Sequence, residues 1–282
     1  MSFVNSTDYN SSAQLAVGLL DSTTSQIQQT ANVISTGKQI NGPADNPAVW
    51  GLAQRNTSNA LALDSVLQSL QRNQSVNDTA VAAGQQVVDL LNQIKTVVVA
   101  AADPSLDSAS RAQDQSSFTN LVSEINNVVS GASFNGDNLI QSGATALFAL
   151  GDVKGALKIT LAPQVLAVGV GHTFAGGIQF TAGAAFSTAT SAAALLSLVN
   201  TSISNVTNQV AALGANDVKF NAQIAFVQTL QQSINQGVAN QVDADLAKTS
   251  AKYQALQTKQ QLASQAVNIT NQSGSNILSL FR

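Results

Sequence analysis

The chain has 282 residues, of which 44% are hydrophobic and only 10% charged, with a net charge of −3 and no cysteine. The absence of cysteine excludes a disulfide framework and a thiolate metal site, and the charge balance offers no basic footprint for nucleic acid or an anionic membrane. Charged content well below the roughly 25% of average globular proteins leaves weak colloidal repulsion, so self-association is the expectation.

The first ten residues, MSFVNSTDYN, lack the basic and apolar stretches of a secretory signal, so no cleaved signal peptide is expected. No apolar run is long enough to insert in a membrane. Ala13, Val17, Leu20, Thr24, Ile27, Ala31 and Ile34 then step by four and three. That rhythm marks a helix wound around another, because a 3.5-residue repeat keeps one seam facing the partner. A turn-rich loop follows from Ser35 to Pro47, with Asp45 or Asn46 as candidate N-cap and Pro47 as the first helical residue. The next helix is expected from about Ala48 to Ala101, with Leu63, Leu67, Leu70, Val81, Val88, Leu91 and Val98 on heptad steps and Asp103-Pro104 as its stop. A third helix, about Asp107 to Ser130, carries Phe118, Leu121, Val122, Ile125, Val128 and Val129 at helical spacing.

From about Gln141 to Thr190 the pattern changes. Short alternating runs, Leu157–Leu161 and Gly177–Thr181, read as strands and hairpins. Heptads return from Leu196 through Val199, Val206, Val210, Leu213, Phe220, Ile224 and Val227, and the register skips at Gln241-Val242, where a bend is expected. The last helix repeats the rhythm at Val242, Leu246, Thr249, Tyr253, Leu256, Gln260, Ala263, Val267 and Thr270. Both end segments are nearly free of charge: Asp21 stands alone between Tyr9 and Gly37, and none lies between Gln260 and Phe281. Gln, Asn, Ser and Thr replace the Glu and Lys of an exposed coiled coil, as suits outer faces destined for burial, where an unpaired charge costs several kcal/mol. The expected fold is mainly α: a long antiparallel coiled-coil rod formed by both chain termini, with a small β-rich central insertion.

Catalytic chemistry has little to work with. His172 is the single histidine and Glu124 the single glutamate. Asp243 and Asp245 are the one close carboxylate pair singled out, and helix capping explains them better than acid–base work. Trp50 reads as a packing anchor, and the Asn-x-Ser/Thr triplets as chance in a chain rich in those residues. No phosphate loop or nucleophile elbow is present. Neither enzyme activity nor a cofactor or metal is expected.

Several motifs nevertheless occur in a fixed order. Ile34–Asn41 followed by Ala44-Asp45-Asn46-Pro47-Ala48, Phe134–Ile140, Ala212–Ala215, Val242–Ala247 and the ending Asn276–Arg282 resemble the signature segments of bacterial flagellins. The resemblance covers about 1–141 and 195–282 and leaves out the middle, which varies freely in that family. It implies a structural subunit that polymerises with itself into the extracellular flagellar filament. It further implies export through the flagellar type III pathway, with the export apparatus, an export chaperone, the filament cap and hook–filament junction proteins as partners.

On that pattern, residues 1–47 and 236–282 would form the terminal coiled coil of an inner tube, with assembly contacts at Ala13, Val17, Leu20, Ile27, Ile34, Val242, Leu246, Tyr253, Leu256, Val267, Ile277 and Leu280. Residues 48–140 and 195–235 would form a helical rod packed through Leu63, Leu67, Leu70, Val88, Leu91, Val206, Val210, Phe220, Ile224 and Val227. Residues 141–194 would be the variable β-rich surface. The family's Arg-x-x-Glu pair, read by an innate immune receptor, is replaced by Gln93 and Thr96, which implies weak recognition. A hook–filament junction protein, and an added adhesive role for the middle, are the competing readings.

Overall fold

The computed structural model describes residues 6–171 and 173–280, with side chains described for 14–171, 173–270 and Gln272. His172 and the side chains of Ala13, Ile277 and Leu280 lie outside the described residues. The elements run in order α1 (Ser6–Thr36), α2 (Pro47–Ala101), α3 (Ser108–Gly131), β1 (Leu147–Leu150), β2 (Lys158–Leu161), α4 (Ala189–Val242) and α5 (Leu246–Leu280).

The helix ends follow local chemistry. Pro47 opens α2 behind Asn46, whose Oδ1 accepts the Val49 amide at 3.1 Å. Asp107 caps α3 by accepting the Ala109 and Ser110 amides, each at 2.9 Å. Those bonds to the ionised form hold the Asp107 carboxyl below its usual range, the Ser110 amide acting most strongly. Past Ala101 the chain leaves α2, and the buried Arg111 side chain donates to the carbonyls of Ala101, Asp103 and Leu106. A cation on the last carbonyls of a long helix answers both the unpaired acceptors and the negative end of the helix dipole.

The chain divides into two compact units, 1–58 with 233–282 and 59–232. In the second unit, α2 and α4 run antiparallel, as Gln231 Nε2 to the Ala60 carbonyl (3.1 Å) and Gln74 Nε2 to Asn221 Oδ1 (3.0 Å) require. On α2 the buried positions include Ala60, Leu63, Val66, Leu70, Asn77, Ala80, Gly84, Val87, Leu91, Ile94, Val98 and Ala101; on α4 they include Ala192, Leu195, Val199, Ser202, Val206, Leu213, Phe220 and Val227. Both series keep a seven-residue repeat. On α2 the repeat differs from the expected one at every second position, with Val66, Ala80 and Val87 buried where Leu67, Val81 and Val88 were expected and are half-buried. A helix covered on two sides buries a stripe about 100° wide, broader than a two-stranded seam. Gly84 shows the double cover, because a Cβ there would stand 2.6 Å from Val210 Cγ2 and 3.3 Å from Leu166 Cδ1.

The middle is less β-rich than its alternation suggests. β1 and β2 pair antiparallel, Leu147 opposite Leu161 and Leu150 opposite Lys158. The expected strand at Gly177–Thr181 is instead irregular. Ile178 and Phe180 are buried with period 2, but their backbone is satisfied by side chains: Ser202 Oγ accepts the Gln179 amide at 2.8 Å, and Asn205 Nδ2 donates to the Gly177 carbonyl at 3.0 Å. Helix α4 also begins at Ala189, about two turns before Leu196, on a Thr188–Ser191 cap in which each side chain accepts the other residue's amide.

Candidate assembly surface

In the first unit α1 and α5 lie antiparallel. Gln260 Nε2 donates to Thr24 Oγ1 at 3.1 Å, and at the other end a backbone clasp joins the chain after α1 to the break between α4 and α5. There the amides of Gln39 (2.7 Å) and Ile40 (3.2 Å) share the Val242 carbonyl, and Ala244 donates to Gly37 at 2.9 Å. Gly37 adopts φ 70°, a conformation that costs glycine least. Asp245 then caps α5 through the Lys248 amide (3.0 Å). The expected bend at Gln241-Val242 is therefore a complete break, and Asp243 and Asp245 sit at a backbone bridge and a helix cap.

The seam between these helices is made of small and polar groups. The most buried residues of α1 are Thr23 (1% exposed) and Thr30 (5%); on α5 they are Ala263 (4%) and Leu256 (7%). Thr23 and Thr30 are internally satisfied, each hydroxyl donating to the carbonyl four residues back at 2.7 Å. Leu20, Ile27, Ile34, Tyr253 and Val267 are half-buried, and Val242 is buried in the clasp. Val17 and Leu246 are exposed, as are Leu15, Leu19 and Leu262. The α1 seam thus passes through Thr23 and Thr30, one residue before the expected Thr24 and Ala31, and leaves leucines on the outer face. Thr23 and Thr30 are themselves seven residues apart and lie one position before Thr24 and Ala31, so spacing alone does not separate the two registers.

In the second unit, Leu63, Leu70, Leu91, Val206, Phe220 and Val227 are fully buried, while Leu67, Val88, Val210 and Ile224 are half-buried beside them. Gln93 and Thr96 are exposed on α2. Among the described residues no group of three or more His, Asp or Glu side chains is placed to hold a metal ion, and no helix is long and apolar enough to cross a membrane.

Two antiparallel helix pairs, one with its seam filled by large aliphatic groups and one with its seam half-filled, define a long-helix, coiled-coil class of protein. Family models narrow the class. The bacterial flagellin N-terminal helical region matches residues 7–145, and the bacterial flagellin C-terminal helical region matches 196–281. Flagellin FljM of Caulobacter vibrioides is 40% identical over 279 residues, covering 99% of both chains, and flagellin FljK of the same organism is 39% identical with equal coverage. A flagellin of Brucella melitensis is 31% identical over 277 residues, covering 97% of this chain and 98% of that one. The chain belongs to the bacterial flagellin family and is a structural subunit of the flagellar filament, the extracellular appendage of motility. The family is structural, not enzymatic, and polymerises with itself.

Proposed function

We propose that the α1–α5 pair is the surface through which copies of this chain polymerise. The observation that carries the reading is the imbalance of that pair: two threonines, Ala263 and the single leucine Leu256 fill its seam while Leu15, Val17, Leu19 and Leu262 face outward. Covering one such side chain contributes about 1.5–3 kcal/mol. An antiparallel pair that buries little of its own apolar surface gains stability mainly when neighbouring copies cover it. Residues 1–47 and 236–282 would then form the inner assembly tube and 48–140 with 195–235 the rod, with 141–194 at the filament surface. Family membership also supports export through the flagellar type III route, with the export apparatus, an export chaperone, the filament cap and hook–filament junction proteins as partners.

The test is polymerisation of purified monomer, followed by sedimentation and electron microscopy. Intact chain should form filaments, and a chain lacking about 40 C-terminal residues should stay soluble. A Val17→Glu/Leu262→Glu variant should lose polymerisation while keeping its helical content and the melting of residues 59–232. Filaments from the truncated chain would refute the reading.

A further inference from the structure

The α1–α5 pair is held in two different ways along its length. Over the helices the link runs through side chains, as from Gln260 Nε2 to Thr24 Oγ1 (3.1 Å). At one end it runs through the main chain. There Lys38 and Asp243 form an antiparallel bridge, the Val242 carbonyl accepts the Gln39 and Ile40 amides, and the Gly37 carbonyl accepts that of Ala244. Both arms of this clasp grow out of helix ends, since the Gly37 amide donates to the Val33 carbonyl (2.9 Å) and that of Asp243 to Ala239 (2.8 Å). Asp45 secures the following residues by accepting the Asn41 (2.8 Å) and Gly42 (3.1 Å) amides. Val242 is buried, which shields its shared carbonyl from competing water.

The helices themselves supply less. Leu15 and Val17 on α1 and Leu262 on α5 are each more than half exposed, so pairing removes little of their apolar surface from water. The seam also repeats: Thr23 and Thr30 on one helix, and Leu256 and Ala263 on the other, are seven residues apart. A pair displaced by seven residues would again set small groups together, so these side chains define the register loosely. Main-chain pairing removes that freedom, because each bond of the clasp is specific to one partner. Residues 37–40 and 242–244 are about 200 apart in sequence, so joining them carries most of the loop-closure entropy. Once they are joined, each further turn of α1 finds α5 alongside, and pairing extends without a second closure.

We propose that the clasp of 37–40 with 242–244 is the nucleus from which α1 and α5 pair. It forms in the monomer, fixes the register, and lets incoming copies complete the pair outward from it. This rests on the reading of the α1–α5 pair as the assembly surface and adds where its ordering begins. Gly37 is the residue on which the clasp turns. It adopts φ 70°, and a Cβ there would meet nothing within 4 Å, so the position restricts conformation and not volume. Asparagine enters the left-handed region readily, whereas a β-branched residue is an outlier there. Gly37→Asn and Gly37→Val therefore enter the same open space and differ in whether the clasp survives.

The experiment uses the full-length chain. Amide exchange in the monomer should be slower at Gln39, Ile40 and Ala244 than at Leu15, Val17 and Leu262, with protection along α1 falling from Thr30 toward Leu15. Monomer added to sheared wild-type filaments then gives elongation rates by light scattering. Gly37→Val should elongate about tenfold more slowly than wild type, and Gly37→Asn within about twofold of it. Melting of residues 59–232 should be the same in all three proteins. The nucleus is overturned by clasp amides no better protected than Leu15, by Gly37→Val elongating at the wild-type rate, or by Gly37→Asn as slow as Gly37→Val. A loss of melting temperature confined to Gly37→Val would also overturn it, by assigning the slowing to general misfolding. Failure of the assembly-surface reading looks different: Val17→Glu/Leu262→Glu would then polymerise normally, and the exchange ranking in the monomer would still decide the nucleus.

Discussion

Two helix pairs in this chain share one repeat and differ in what fills it. Between α2 and α4 the repeat is filled by Leu63, Leu70, Leu91, Val206, Leu213 and Phe220, all at most 2% exposed. Between α1 and α5 the same repeat is filled by Thr23, Thr30, Leu256 and Ala263, with Leu20, Ile27, Tyr253 and Gln260 only half-covered. Periodicity decides which helices pair; side-chain volume decides whether the pair is stable alone. A leucine seam removes enough apolar surface from water to fold by itself. A threonine seam brings backbones close, but its hydroxyls are already bonded within their own helix and add little across the interface.

The largest expected effect breaks the stable seam. Leu91→Ala deletes a 0%-exposed side chain and should cost about 2–5 kcal/mol, read as a lower urea midpoint of the monomer. The equivalent change in the other pair, Leu20→Ala at a half-buried position, should move the monomer midpoint by less than about 1 kcal/mol. Equal losses would erase the distinction between the two seams. Next comes Gly84→Ala. The new methyl would press on Val210 Cγ2 and Leu166 Cδ1 at 2.6 and 3.3 Å, an overpacking of about 1–3 kcal/mol, partly offset by alanine's helix propensity of about 1 kcal/mol. Val210→Ala made together with Gly84→Ala should recover part of the loss by vacating that space. No recovery would mean the contact with Val210 is not what limits approach.

The same comparison explains what could be read from residues alone. α1, α2, α3 and α5 were legible, within a few residues at each end, because long apolar periodicity survives any choice of partner. The antiparallel pairing of the chain ends was legible because both carry the rhythm and little charge. The exact seam was not. Val17 counts as apolar and faces outward, whereas Thr23 counts as polar and is buried, because its hydroxyl is satisfied by the Leu19 carbonyl. The segment Gly177–Thr181 alternates like a strand, yet its hydrogen bonds go to Ser202 and Asn205 on a helix more than twenty residues later. β1 carries no alternation to read, since Leu147, Phe148, Ala149 and Leu150 are all apolar, whereas Lys158-Ile159-Thr160-Leu161 of β2 alternates. Arg111 showed no sign of its capping role, since the carbonyls it binds become neighbours only once α2 ends at Ala101.

A smaller effect concerns how α3 begins. Asp107→Ala removes the acceptor for the Ala109 and Ser110 amides, so their hydrogen exchange should quicken while the core around Phe118 stays protected. Asp107→Asn keeps the cap but removes its charge. The Asp107 carboxyl is held below its usual range, so its contribution is present above the unfolded value near 3.9 and lost as the pH falls through the folded value. The asparagine variant should therefore lose the acid sensitivity of those two amides. Unchanged acid sensitivity would assign it to another group.

The smallest effect sharpens the comparison most. Thr23→Val with Thr30→Val keeps the shape of the α1 seam and replaces two buried hydroxyls by methyls. Each lost hydroxyl bond runs to a carbonyl that also serves the helix ladder, so little is left unsatisfied, and the added apolar burial should stabilise the α1–α5 pair by less than about 1 kcal/mol per site. The readout is amide exchange of α1 in the monomer, which should slow, with the concentration needed for polymerisation falling as the pair becomes ordered beforehand. If exchange stays as fast as in wild type, the hydroxyls are not what limits the pair, and its low burial traces instead to the narrow side chains around Ala263.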